Sequence, residues 1–207
     1  MLENNSANVG AVVLAAGSSS RMGTPKQTLH FQGDSLLRRA ARAALSARCS
    51  PVVVVTGAHA ELCKRELYGL DVIEAFNAGW ETGIASSLRA GIERLVSIDA
   101  GLVAAVVLLC DQPHVTSDVI SGLLAARLAT GRPIIASAYG GSFGVPALFS
   151  SALFTELLEL EGMSGAKEII KRHASDAHLL PFPDGGVDVD TPNDFSCLIA
   201  AEVKALD

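Results

Sequence analysis

Three apolar runs set the framework of the chain. Val12-Val13-Leu14, the valines at 52–55 and the longer stretch 102–109 are apolar, largely β-branched and free of charge. Such continuity predicts strands buried on both faces, as in a parallel sheet covered by helices. Residues 35–47 instead place Leu36, Leu37, Ala40, Ala44 and Leu45 at helical spacing. Arg38, Arg39 and Arg42 lie partly off that face, and Asp34 or Ser35 is available as a cap.

The same alternation continues. A short helix over 58–67 leads to a strand at 72–75, and a helix is entered through Ser86-Ser87-Leu88. Residues 116–129 read as a helix capped by Thr116 and stopped at Gly131, and 133–136 as a strand. Residues 139–149 predict two strands, or a strand and a bulge, around a Gly-rich bend. Helices follow at 154–160 and 166–173. Two extended pieces, 179–182 and 187–190, bracket a Gly-Gly turn, and Thr191-Pro192-Asn193-Asp194 opens a terminal helix. The sum is an α/β fold in three layers, its sheet mostly parallel with a small antiparallel excursion.

Composition narrows the possibilities. With 207 residues, 49% of them apolar, the chain suits one domain over 1–207. A net charge of −6 argues against a nucleic-acid surface. No apolar run approaches the roughly 20 residues that span a bilayer. The first ten residues lack the basic region and apolar core of a signal peptide, so cytoplasmic location is the expectation. Cys49, Cys63, Cys110 and Cys197 are dispersed, with neither zinc spacing nor a disulfide framework.

An anionic ligand must then meet locally concentrated cations. The strand ending at Leu14 empties into Ala15-Ala16-Gly17-Ser18-Ser19-Ser20, followed by Arg21 and Lys26. Small residues let backbone N–H groups approach a ligand, and two cations offset a polyphosphate's charge. The loop matches neither G-x-G-x-x-G nor G-x-x-x-x-G-K-[ST], which weakens dinucleotide and P-loop readings. Asp111 stands at the carboxyl end of the central run, where open α/β sheets bind ligands. It suits either a turn or a magnesium site. Trp80 suits a core anchor or a ligand border, and His114 a packing residue or the lining of an acceptor site. Asp188 and Asp190, on an alternating strand, would share one face.

The segment LAAGSSSRMGTPK resembles the L-A-A-G-x-S-x-R-M-G-x-P-K signature of the molybdenum cofactor nucleotidyltransferases, especially the cytidylyltransferases. N-x-x-W-x-x-G followed by S-S-L, then CDQP, GVPALF and D-x-D-T-P, extend the resemblance to Asp194. It implies a three-layer Rossmann-like nucleotidyltransferase (GT-A-like) fold that moves CMP from CTP to molybdenum-molybdopterin with release of pyrophosphate. Nucleotide contacts would come from Leu14, Ala15, Ala16, Gly17, Ser18, Arg21, Lys26, Gly83 and Ser87, with Arg21, Lys26 and Asp111 catalytic. Mg²⁺ would be held by Asp111 and Asp190, and the acceptor lined by His114 and Gly144, the latter admitting a flat pterin. Handover to a molybdoenzyme or its chaperone would follow. The segment GMSGAK departs from the relatives' G-D-x-G-A by lacking the acid, while Lys167 is an acceptor-phosphate screen or an exposed helix lysine. A guanylyltransferase, a sugar-phosphate nucleotidyltransferase and a non-catalytic nucleotide-binding chaperone are the competing readings.

Overall fold

The computed structural model describes residues 8–206. Strand β1, Val9–Leu14, is buried at every position and lies inside a seven-stranded sheet. On one side it pairs parallel with β4, Val52–Thr56, which pairs parallel with β5, Ile73–Phe76. On the other side it pairs parallel with β6, Ala104–Leu109. Strand β8, Ser142–Ser150, runs antiparallel to both β6 and β7, Ile134–Tyr139, and β9, Ala177–Pro181, closes the edge parallel to β7. The sheet order is thus β5-β4-β1-β6-β8-β7-β9, with the 104–109 strand central. A two-residue hairpin, β2 (His30–Phe31) with β3 (Asp34–Ser35), stands apart.

Alternation along each strand feeds two cores. Ala11, Val13, Val52, Val54, Val106 and Leu108 face the side packed by α1, Leu36–Ser46, and α4, Ser117–Thr130. Val12, Leu14, Val53, Val55, Ala105 and Val107 face α3, Ile84–Ile98, with α5, Phe154–Leu158, and α6, Ala166–Arg172. Helices on both faces explain why the strands carry no polar alternation. Ser35 caps α1 by accepting from Arg38 N–H at 3.2 Å. The short helix α2 occupies Ala60–Glu66, narrower than the 58–67 expected because Gly57 closes a turn before it. The terminal helix α7, Pro192–Leu206, begins with the expected capping box, in which Asp194 accepts from Thr191 N–H at 2.8 Å.

One expectation fails. Residues 187–190 form no strand; they run as coil after a 3₁₀ turn at Pro183–Gly186. Of the two valines only Val189 enters the core, in a small cluster with Met22, Phe31, Leu36 and Leu198, while Val187 is exposed. That cluster joins the loop after β1 to the chain's tail.

Candidate active site

The chain leaves β1 in one direction, to β4 and β5, and returns on the other side through β6. The β1/β6 boundary is therefore the switch point, whose carboxyl end is the usual ligand crevice of an open α/β sheet. Leu14 and Leu109 are partners in register, and Cys110 N–H donates to Leu14 O at 3.2 Å. The loop after Leu14 and the segment after Leu109 thus emerge side by side.

Gln27, fully buried, shapes that loop. Its amide nitrogen donates to Ala15 O at 2.9 Å and Gly17 O at 2.8 Å, and its Oε1 accepts from Ser19 Oγ at 3.1 Å. Ser19, at φ +55°, also accepts from Lys26 N–H at 3.0 Å. The loop is folded back so that Lys26 faces the carboxyl end of β6. Gln27 has no sequence signal of its own: a polar residue beside Lys26 looks like solvated loop until its three partners are seen.

Lys26 Nζ donates to both Asp111 and Asp190, the latter at 3.0 Å, and Arg21 pairs with the other Asp190 oxygen at 2.9 Å. Val189 N–H donates to Asp111 O at 2.9 Å, which pins the tail where Asp190 meets Lys26. Burial by itself lowers the Lys26 pKa; the charge of Asp111 and hydrogen bonds to both carboxylates reverse this and hold the ammonium above the ordinary lysine range. Burial, then the charge of Asp111, pushes the Asp188 carboxyl up to about 6. Arg21, Lys26, Asp111 and Asp190 converge from three distant parts of the chain.

A cavity of about 220 Å³ opens beside them, lined by Leu14, Ala15, Ala16, Gly17, Lys26, Gln27, Trp80, Ser87 and Asp111 among others. Trp80 is half-buried at its wall rather than a central core anchor. Three expected nucleotide residues do not line this cavity. Ser18 O is bonded to His59 Nε2 at 3.0 Å, while Arg21 stands outside on Asp190. Gly83 caps α3 at φ +118°, where a Cβ would lie 2.1 Å from Gly162 O. Its glycine lets the 162–165 loop pack on the helix entrance. Ser87 is held by Asn77, whose amide donates to Ser86 Oγ at 2.9 Å and Ser87 Oγ at 3.0 Å. Asn77 is a buried positioning residue that the sequence motif included without revealing its role.

The two expected acceptor residues are separated. Gly144 lines a second cavity of about 190 Å³ that shares Leu14, Ile84 and Leu109 with the first. A Cβ at Gly144 would lie 2.4 Å from the Tyr139 hydroxyl, so the glycine makes room for that phenol. His114 lies instead on a cavity of about 380 Å³ with Asp188, Asp194 and Cys197, edge-on to the Phe31 ring. A further cavity of about 390 Å³, near Arg48 and Asp71, sits at the amino ends of β4 and β5, remote from these groups.

The carboxylates suit a hard cation. Asp111 Oδ1 is buried without a hydrogen-bond partner, an oxygen that calls for a cation or donor. Among the described residues no group of three or more His, Cys, Asp or Glu side chains forms a metal cluster. Two carboxylates would therefore leave coordination positions for water and phosphate oxygens, the habit of magnesium and similar ions.

At the switch point of a mostly parallel sheet stand a small-residue loop and paired carboxylates, and the family match gives the class as nucleotidyltransferase. The chain belongs to the family described as the MobA-like NTP transferase domain, whose model matches residues 11–177. It is 32% identical over 197 residues to the purine catabolism protein PucB of Bacillus subtilis (strain 168), covering 89% of this chain and 92% of that one. The crystal structure of a Mycobacterium tuberculosis Rv0371c homologue from Mycobacterium sp. strain JC1 superposes with a TM-score of 0.80 at 31% identity, covering 96% and 98% of the two chains. Rv0371c of M. tuberculosis H37Rv in complex with manganese gives a TM-score of 0.75 at 25% identity, covering 94% and 99%. Among the described residues no helix is long and apolar enough to cross a membrane.

Proposed function

We propose that the chain, acting as one domain over residues 1–207, is a cytidylyltransferase that transfers CMP from CTP to molybdenum-molybdopterin and releases pyrophosphate. The observation that carries the nucleotidyl-transfer part of this reading is the Lys26 ammonium set between Asp111 and Asp190, with Arg21 on Asp190, beside the Leu14–Gly17 cavity; CTP and molybdenum-molybdopterin come from the resemblance of the 14–26 segment. Nucleotidyl transfer needs cations for a triphosphate and carboxylates for its metal at one point, and these four side chains supply both.

In the reaction, an oxygen of the acceptor's terminal phosphate forms a bond to the α-phosphorus of CTP. The bond from that phosphorus to the α,β-bridging oxygen breaks, and pyrophosphate leaves with the electron pair. A phosphate monoester has a second pKa of about 6, so its oxygen is already ionised at neutral pH and no protein base is needed. Lys26 and Arg21 turn from the carboxylates to the triphosphate and stabilise the departing charge. Backbone N–H groups of the loop after Leu14 and the hydroxyl of Ser87 orient the nucleotide. Asp111 and Asp190 would hold Mg²⁺, which supplies charge neutralisation at the phosphates. A manganese complex is recorded for the Rv0371c relative.

The name of the Bacillus relative ties that protein to purine catabolism and specifies neither donor nor acceptor. Nucleotide and acceptor must therefore be varied together. Pyrophosphate release is measured with CTP, GTP, ATP or UTP against molybdenum-molybdopterin or a sugar 1-phosphate, in Mg²⁺. CTP with molybdenum-molybdopterin should be the preferred pair by at least about tenfold in kcat/KM, equivalent to about 1.4 kcal/mol. Preference for GTP would make the protein the sister guanylyltransferase; preference for a sugar phosphate would overturn the acceptor. Nucleotide binding without pyrophosphate release for any pair would favour a cofactor-binding chaperone. With the cytidylyltransferase reading go cytoplasmic location and handover of the product to a molybdoenzyme or its chaperone.

A further inference from the structure

The carbonyls of residues 15–18 are taken up alternately by two parts of the chain. Ala15 O and Gly17 O accept from Gln27 Nε2 at 2.9 and 2.8 Å, whereas Ala16 O accepts from Ala58 N–H at 3.0 Å and Ser18 O is bonded to His59 Nε2 at 3.0 Å. A carbonyl oxygen can only accept, so His59 Nε2 carries a hydrogen and donates; the neutral ring in that tautomer and the charged ring both can. Gly57 brings this segment close, since a Cβ there would lie 2.6 Å from Ala16 O and 3.0 Å from Trp80 Cβ. With Ala15 N–H donating to Val55 O at 3.0 Å, the lacing of β1 to β4 runs past the end of the sheet, through Ala58, and reaches Ser18 through the His59 ring just before α2.

All four carbonyls are therefore occupied. The N–H groups are not: among the described residues no hydrogen bond is donated by the backbone nitrogens of residues 17–21, and Ser18 makes no hydrogen bond other than the one to His59. Ser19 stands at φ +55°, a left-handed conformation of the kind that anion-binding nests use.

We infer that His59 is a positioning residue for nucleotide binding, a latch that fixes the Ser18–Ser19 peptide in the orientation in which the loop receives the triphosphate. This rests on the nucleotidyl-transfer reading above and adds to it a side chain from outside the 14–26 segment. The peptide that carries Ser18 O also carries the Ser19 N–H, and in a planar trans peptide the two point in opposite directions. Holding the oxygen on His59 thus aims the donor, while a flipped peptide would present an oxygen where a phosphate needs an N–H. Small residues leave such a flip open to the chain. Apparent affinity falls with the fraction of loops in the receptive form, so the latch acts on binding.

His59 is only half-buried, so its replacement should leave the fold intact. The test is titration calorimetry of the wild type, His59→Leu and His59→Gln with CTP and with inorganic tripolyphosphate, each in Mg²⁺. Leucine has no donor, whereas the glutamine amide nitrogen reaches about as far from the backbone as the imidazole Nε2. His59→Leu should raise Kd for both ligands by roughly three- to tenfold, the loss of one neutral hydrogen bond, and His59→Gln should recover most of it. In the ligand-free protein the ¹³C resonance of the Ser18 carbonyl should move in His59→Leu and return most of the way in His59→Gln. Equal affinity of wild type and His59→Leu, no recovery in His59→Gln, or an unmoved Ser18 resonance would overturn the inference alone. Weakened CTP binding with unchanged tripolyphosphate binding would overturn it as well, because His59 would then act on the nucleoside. Binding of neither ligand to the wild type would overturn the nucleotide reading and the inference with it.

Discussion

Replacing Gln27 by Leu tests whether the phosphate loop is shaped by one buried amide. Leucine fits the space but removes two donated hydrogen bonds, to Ala15 O and Gly17 O, and one accepted from Ser19 Oγ. At about 1 kcal/mol per bond the loss is about 3 kcal/mol, with a further contribution because the carbonyl of buried Ala15 is left without this donor. Against a total stability of about 5–15 kcal/mol this is a large fraction. With a urea m-value of about 2 kcal/mol/M, the unfolding midpoint should fall by about 1.5 M. Function should suffer separately. Ser19 loses its Gln27 contact and holds Lys26 N–H less firmly, so KM for the nucleotide should rise in urea-free buffer where the variant is still folded. Urea melts followed by circular dichroism, and nucleotide titration of the folded variant, give the two readouts. A midpoint within about 0.3 M of wild type, where the hydrogen-bond count requires several times more, would refute the reasoning.

Gly83→Ala should lose at least about 2 kcal/mol, because alanine must adopt φ +118° with its Cβ 2.1 Å from Gly162 O. For a chain of this size that is roughly 4–8 °C in Tm, checked by calorimetry. Lys26→Met removes the cation between two carboxylates that are only partly exposed and should cost about 2–3 kcal/mol, below the range for fully buried pairs, as read by denaturant unfolding without metal. Asp188 titrates near 6 in the fold against an ordinary value of 3.8, so the folded chain binds more protons than the unfolded chain between these values. Its contribution to stability therefore falls as pH rises through about 4–6. Asp188→Asn should gain Tm relative to wild type on going from pH 4.5 to 7.5 in chelator, and a pH-independent difference would contradict the shift.

The framework was legible because burial on both sheet faces leaves a plain mark: Val52 to Val55 divide alternately between two cores yet are all apolar. Asp111 was legible for a related reason, since the end of a central apolar strand is also the edge of the crevice. The motif singled out Asp190, which the structure brings to Lys26 and Arg21, while the local structure around it was misread. Of the two valines at 187–190 only Val189 is buried, packed on Met22, and no strand pairs there. The roles of Gln27 and Asn77 depend on hydrogen bonds to partners brought near by folding, which no periodicity records. Gly83 and Gly144 marked real constraints within the fold as well: a Cβ there would meet Gly162 O and the Tyr139 hydroxyl. His114 and Gly144 were grouped by the resemblance, and the linings place them on different cavities.

The central claim is that Lys26, Asp111 and Asp190 form one nucleotidyl-transfer site. Its most direct test is pyrophosphate release from CTP with molybdenum-molybdopterin and Mg²⁺, comparing wild type with Asp111→Asn at matched folded concentration. Asparagine keeps the side chain's shape but removes the charge that pairs with Lys26 and would hold the metal. The expected result is turnover by the wild type and a fall of about 10²–10³-fold in the variant; turnover of Asp111→Asn within about threefold of wild type, far short of that loss, would contradict the account.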